Sequence, residues 1–211
     1  VVVRTDHFHR QAWQRLCQEN GWTLSDSLYN RLRGVPRDES LRRILAGNNV
    51  ELSSRQQADL AERKNRYYVQ LLDTITPDVI VPHVLEFIAQ LKAAGIKIAL
   101  CSSSKNAAAI LTKLNLERYF DTVVTGLQIT HAKPDPEIFL LAARQLAVPP
   151  RHCLVIEDAP AGIEAARAAR MKTLGFGAAA ILPDADACVT DFDQIDLDAL
   201  LRFAQPQKIT P

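Results

Sequence analysis

The sequence has no charge excess, no long apolar run and few cysteines, and each shortage removes a class of function. Lys plus Arg total 25 and Asp plus Glu total 24, a formal net charge of +1 in 211 residues. That balance offers no field for nucleic acid or an anionic membrane, and neither is an expected partner. No apolar run reaches the 18 residues of a membrane span. The four cysteines, Cys17, Cys101, Cys153 and Cys188, lie far apart with no Cys-x-x-Cys. Cys101 and Cys153 fall in apolar runs and read as small core residues, so a reducing, cytoplasmic setting is expected. Internal repeats and low-complexity tracts are absent. So are an initiator Met and a signal-peptide layout: the chain opens on Val1-Val2-Val3, which reads as the end of something.

What is present is an average globular composition, 47% hydrophobic and 23% charged. The length corresponds to roughly 1.4 domains, and such a chain buries about 70% of its extended surface. The first third reads as helical. Asp6 to Glu19 places Phe8, Ala12, Trp13, Leu16 and Cys17 on one face, and Gly21 ends it. Ser25 to Leu32, Asp38 to Leu45 and Ser53 to Leu72 follow as helices. From Pro82 helices alternate with short apolar strands at Ile96–Cys101, Thr122–Thr125, Cys153–Ile156, Thr173–Phe176 and Ala187–Val189. The intervening helices span Val84–Ala94, Lys105–Leu114, Pro136–Leu146 and Ala161–Ala169. That rhythm predicts an α/β parallel sheet with helices on both faces. The expected domains are an α/β core, 1–5 and 76–211, and a helical insert, 6–75. The polar tail Gln205 to Pro211 is expected to fray.

In such sheets ligands bind beyond the carboxyl ends of the strands. After the first apolar strand come Ser102-Ser103-Ser104-Lys105-Asn106, hydroxyls at a helix start that suit either an anion or an N-cap. After Leu154-Val155-Ile156 come Glu157 and Asp158, which suit a hard cation, or a surface pair with Asp158 capping the next helix. Lys133 sits in a proline-fixed loop, Lys133-Pro134-Asp135-Pro136, as a phosphate counter-charge or a solvent lysine. Together the three provide the parts of a phosphoryl-transfer site.

This order resembles the haloacid dehalogenase superfamily, and within it the β-phosphoglucomutase group with its helical cap inserted after the first strand. The matching stretches are Thr5–Trp13, Leu32–Leu45, Arg63–Asn65, Ser102–Asn106, Lys133–Phe139 and Glu157–Gly162. The resemblance implies a HAD-like Rossmannoid core. It assigns Ser102, the Ser103 amide and Lys133 to the transferred phosphoryl group, and Glu157 and Asp158 to Mg2+. Arg37 would meet the second, non-reacting phosphate, aided by Ser104, Lys105 and Asn106. Ser40 would also serve the substrate, and Lys64 would line the cap side of the cleft. Thr5 and His9 would support the acid/base loop at the hinge. The expected partner is a small sugar phosphate, and the expected state is a monomer.

The family's Asp-x-Asp-Gly motif, which carries the nucleophile and the acid/base, does not occur in the sequence, and Arg4 replaces the usual Asp before Thr5. Aligned on Thr5, the chain begins about 11 residues into the family pattern and as written is expected to be inactive. The motif strand normally lies between the strands ending at Ser102 and Glu157. Those two strands are therefore expected to be unpaired, about 9.6 Å apart at twice the usual 4.8 Å spacing, with Val1 emerging beside Ser102, Lys133 and Asp158. Three functions remain open: a hexose-phosphate mutase acting on β-glucose 1-phosphate, a sugar-phosphate phosphatase, or a non-catalytic chain.

Overall fold

The computed structural model describes residues 1–205, so the expected fraying of the tail, apart from Gln205, lies outside the described residues. The chain divides into two compact units, Val3–Val79 and Val1–Val2 with the segment from Ile80 on.

The first unit is helical: α1 (Asp6–Glu19), α2 (Asp26–Asn30), α3 (Arg37–Gly47) and α4 (Ser54–Leu72). The five residues read as one stripe on α1 are the five that it buries. Gly21, at φ +69°, turns the chain out of α1, where the Trp22 amide donates to the Cys17 carbonyl. Ser53 opens α4 with a reciprocal capping box to Gln56, which satisfies two otherwise orphaned donors. α2 is shorter than its leucine spacing suggests. Ser25 caps it, but Gly34 at φ +73° and Pro36 take the chain into turns before α3. Trp13, Leu16, Leu28, Leu41, Ile44 and Leu45 form the core of this unit.

The second unit alternates helix and strand. Its helices are α5 (Val84–Ala93), α6 (Ala107–Lys113), α7 (Glu137–Leu146), α8 (Pro160–Ala168) and α9 (Leu197–Ala204). Its strands are β1 (Ala99–Ser102), β2 (Thr122–Thr125), β3 (Leu154–Glu157), β4 (Lys172–Phe176) and β5 (Ala187–Val189). Every pairing is parallel, with Leu100 opposite Val123, Val155 opposite Thr173 and Gly175 opposite Cys188. β1 starts three residues later than its apolar run. Ile96 donates to the Leu91 carbonyl and completes the end of α5, and Ile98 exchanges bonds with Asp121. α9 was not anticipated from the sequence, although Asp196 caps it through the Ala199 amide.

The strands form two ladders, β1–β2 and β3–β4–β5, and β1 and β3 share no ladder among the described residues. The two strands are thus unpaired, as expected. Strand alternation sends side chains to two apolar layers. Val124 and Val155 join Ile138, Phe139, Ala142, Ala165 and Ala166 from α7 and α8. Leu154, Ile156 and Leu174 join Val84, Phe87, Phe192 and Leu200 on the opposite face. Val1 and Val2 pack into this second layer, and Val81 donates to the Val2 carbonyl at 3.0 Å.

Ile44 is fully buried among the helices of the first unit. Ile44→Ala should cost about 2–5 kcal/mol through lost burial and a residual cavity, read as a lowered midpoint in urea unfolding.

Candidate functional site

The α/β unit collects its polar residues at the carboxyl ends of its strands. Lys133, in the loop between β2 and α7, places Nζ 2.6 Å from Glu157 Oε2 at the end of β3. Both side chains are about nine-tenths buried, 8% and 10% exposed. Lys133 is therefore not a solvent lysine, and the Lys133-Pro134 peptide is cis. The other oxygen, Glu157 Oε1, accepts from the amides of Asp158 and Ala159. Ala159, rather than Asp158, is the N-cap of α8, and Pro160 opens that helix. The reading of Asp158 as a helix cap is thereby replaced. Its side chain is 44% exposed, and the Val1 nitrogen lies 3.6 Å from Oδ2.

After β1 the serines organise the chain into local turns. Ser102 Oγ accepts from the Ser104 amide and Ser104 Oγ from the Asn106 amide. These bonds delay the helix, so α6 begins at Ala107. Because Ser102 and Ser104 act as acceptors in these contacts, their hydroxyl protons remain available to an anion. Ser103 Oγ is buried without a hydrogen-bond partner, a donor that is costly to leave unmet. Lys105 is exposed beside Asn106.

Two glycines that the sequence reading passed over make these positions possible. A Cβ on Gly162 would stand 2.1 Å from Glu157 Cδ, and one on Gly126 would stand 2.2 Å from the Ser103 carbonyl oxygen. The carboxylate thus lies directly on the first turn of α8. Gly162 falls within the stretch Glu157–Gly162, but its spacing alone gives no hint of that approach.

The helical unit holds a second cluster. Lys64, 3% exposed, points from α4 to His9 on α1, with Nζ 2.9 Å from Nδ1. An ammonium only donates, so Nδ1 accepts and the ring proton belongs on Nε2. His9 stacks on Tyr68 at 3.9 Å between centroids, and Lys64 Nζ lies 4.9 Å from the rings of both Trp13 and Tyr68. Burial, and then Lys64, lower the His9 pKa to about 3. Burial, and then the Arg37 guanidinium, lower that of Lys64 to about 7. Burial pushes the Tyr68 phenol up to about 12, and its hydroxyl is buried without a hydrogen-bond partner. Arg37 Nε is buried without a hydrogen-bond partner, 3.9 Å from Asp38 Oδ1. Pro36 provides no side-chain cap for the helix that Arg37 begins. Ser40 is buried and donates to the Val35 carbonyl, a bond that holds the turn into α3. Thr5 is the N-cap residue of α1, without a side-chain cap bond.

The expected metal pair, Glu157 and Asp158, supplies only carboxylate oxygens, which suit a hard dication. Asp158 is the more exposed of the two, while both oxygens of Glu157 already accept hydrogen bonds. Two groups of three metal-type ligands lie elsewhere among the described residues, His83–Asp191–Asp193 and His131–Asp135–Glu137. The sequence reading named neither. In the second, Glu137 accepts from the Thr130 and His131 amides and anchors the loop that carries Lys133. No helix among the described residues is long and apolar enough to cross a membrane.

Comparison with known proteins agrees with this arrangement. Residues 1–170 match the model of the haloacid dehalogenase-like hydrolases. The β-phosphoglucomutase of Bacillus subtilis is 36% identical over 202 residues, 95% of this chain and 89% of that one. A phosphorylated carbohydrates phosphatase of Thermotoga maritima is 32% identical over 190 residues, covering 89% and 85%. The crystal structure of β-phosphoglucomutase from Clostridium difficile superposes with a TM-score of 0.90 at 35% identity, covering 97% and 92%.

Two outcomes follow from the geometry. Gly162→Ala should force the Glu157 carboxylate off α8, cost about 1–3 kcal/mol in stability and lengthen the Lys133–Glu157 contact, visible in a crystal structure of the variant. Folded His9 binds its proton only near pH 3, whereas an unfolded histidine does so near 6.5. In that window the unfolded state binds more protons, so this histidine makes stability fall as pH falls. His9→Gln should flatten that part of the stability–pH curve in urea titrations.

Proposed function

Because the chain belongs to the haloacid dehalogenase-like hydrolases, we propose that its residues serve phosphoryl transfer on a hexose phosphate. The reaction proposed is conversion of β-glucose 1-phosphate to glucose 6-phosphate through an aspartyl phosphate and a bisphosphate. The observation that carries this reading is the pair of cationic side chains in the helical unit, buried Lys64 and half-buried Arg37, with Arg37 Nε lacking a hydrogen-bond partner. A phosphatase for small monophosphates needs one phosphate site; a mutase must also grip the phosphate that is not reacting.

In this reading Ser102, the Ser103 amide and Lys133 bind the phosphoryl group, and Lys133 neutralises its charge. Glu157 holds Lys133 in place. Asp158 and Glu157 hold Mg2+, which when bound supplies further charge neutralisation to the phosphoryl oxygens. Arg37 pairs with the remote phosphate through its planar fork, with Lys64, Ser104, Lys105 and Asn106 around the substrate. Thr5, His9 and Ser40 fix the backbone and side chains that support these groups. The substrate is a sugar phosphate, and the protein acts as a monomer. The nucleophile belongs to an Asp-x-Asp-Gly segment that these 211 residues do not include, so the chain as it stands turns over no substrate. Turnover by the purified 211-residue chain would contradict that statement.

The second reading is a sugar-phosphate phosphatase. It draws on the Thermotoga maritima relative, whose name is that of a phosphatase. Only water access to the phosphorylated aspartate separates the two. The test uses a chain that also carries the Asp-x-Asp-Gly segment, incubated with β-glucose 1-phosphate and a trace of the bisphosphate. Glucose 6-phosphate is the expected product; inorganic phosphate without it would sink the mutase reading. In the same chain Arg37→Ala should impair the mutase cycle by about 2–5 kcal/mol, the cost of removing a buried charged partner. Hydrolysis of acetyl phosphate, which has no second phosphate, should change little. Equal losses in kcat/KM on both substrates would remove Arg37 from this role.

A further inference from the structure

Lys64 is a buried lysine for which no carboxylate among the described residues serves as counter-ion. From α1 it faces His9, held at 2.9 Å, and the ring of Trp13. From its own helix it faces Tyr68. The charged group that bears on it is Arg37 of α3, a second cation, whose side chain is 29% exposed and whose Nε has no hydrogen-bond partner but lies 3.9 Å from the exposed Asp38 carboxylate. Rings attract an ammonium but do not neutralise it, and His9 in the tautomer this contact requires is neutral. A buried lysine without an opposing charge favours its neutral form, and burial with Arg37 brings its pKa to about 7. A neutral amine still has hydrogens to donate, so the Lys64–His9 contact survives loss of the proton and only the charge changes.

We propose that the helical unit takes up a phosphate-like dianion together with a proton, which comes to rest on Lys64 as the dianion settles beside Arg37. This rests on the reading that Arg37 and Lys64 meet the phosphate remote from the transfer. The dianion supplies Lys64 with the opposing charge that its own contacts omit. The proton comes from solvent and ends on Nζ, with no bond in the ligand altered. By reciprocity, affinity for the dianion falls as pH rises.

Sulfate is the suitable probe, because unlike phosphate it stays a dianion from pH 6 to 9. Calorimetry at constant ionic strength, in buffers of different ionisation enthalpy, should show uptake of close to one proton per sulfate above pH 8. The affinity should weaken about tenfold per pH unit above pH 7.5, the scaling expected when only the protonated fraction binds. Lys64→Arg, whose charge is permanent, should abolish both effects. Arg37→Ala should remove the pH-dependent binding and so assign it to this cluster. Nitrogen-detected NMR of Lys64 Nζ in the ligand-free wild-type chain reads the same property should the arginine variant fail to fold. Titration near neutrality supports the proposal, and titration above about pH 9.5 overturns it. Sulfate affinity that is flat with pH, or binding without proton uptake, also overturns it. Because these measurements involve no turnover, they fail or succeed independently of the assay for glucose 6-phosphate.

Discussion

A buried ion pair fixes the polar end of the α/β unit. Its two ladders share no strand pairing between β1 and β3, and the apolar layer formed with α7 and α8 runs across both. At the carboxyl ends, where apolar packing stops, Lys133 from the loop after β2 reaches Glu157 at the end of β3. Desolvating two charges is expensive and repaid only by good geometry and further hydrogen bonds. Here the second Glu157 oxygen receives two amides, and the Phe139 ring lies 4.7 Å from Lys133 Nζ. What the pair secures is position. It fixes a cation and a carboxylate at the same end of two separate ladders, and the close approach at Gly162 follows from it.

The two buried lysines show opposite treatments of one residue type. Lys133 has a carboxylate at 2.6 Å, and so carries its charge into the interior with a partner. Lys64 has an imidazole and two aromatic faces, and so holds its charge only on terms set by its surroundings. The first is suited to a group whose charge must be constant. The second is suited to a group that responds to what binds next to it.

Much of this was legible in the sequence where one local rule was in force. α1 was readable to the residue because its apolar spacing and the following glycine agree. The alternation of strands and helices identified the parallel α/β unit, and it put Ser102, Glu157 and Asp158 at the carboxyl ends of strands, with Lys133 in a loop between elements. Boundaries slipped where tertiary bonds overrode local preference. Ile96 looks like strand but finishes α5, and the serines after β1 form turns before the helix can start. Pairings across long separations were not legible at all. Lys133 and Glu157 are 24 residues apart, and nothing in Arg63-Lys64-Asn65 tells that the middle residue is buried while its neighbours stand outside or partly so. Trp13 and Tyr68 each fit an apolar stripe, which conceals that together they enclose a lysine.

The placement of Trp13 against Lys64 has an optical consequence. The sequence contains two tryptophans, Trp13 and Trp22, and both fall in the helical unit, leaving the segment from Ile80 on with none. Indole emission from this protein is therefore blind to the α/β unit and reports the helical one alone. One of its two fluorophores is buried beside the Lys64 amino group, while the other is partly exposed. The molecule thus carries an intrinsic dye on one unit only, with the buried indole 4.9 Å from the nitrogen of Lys64.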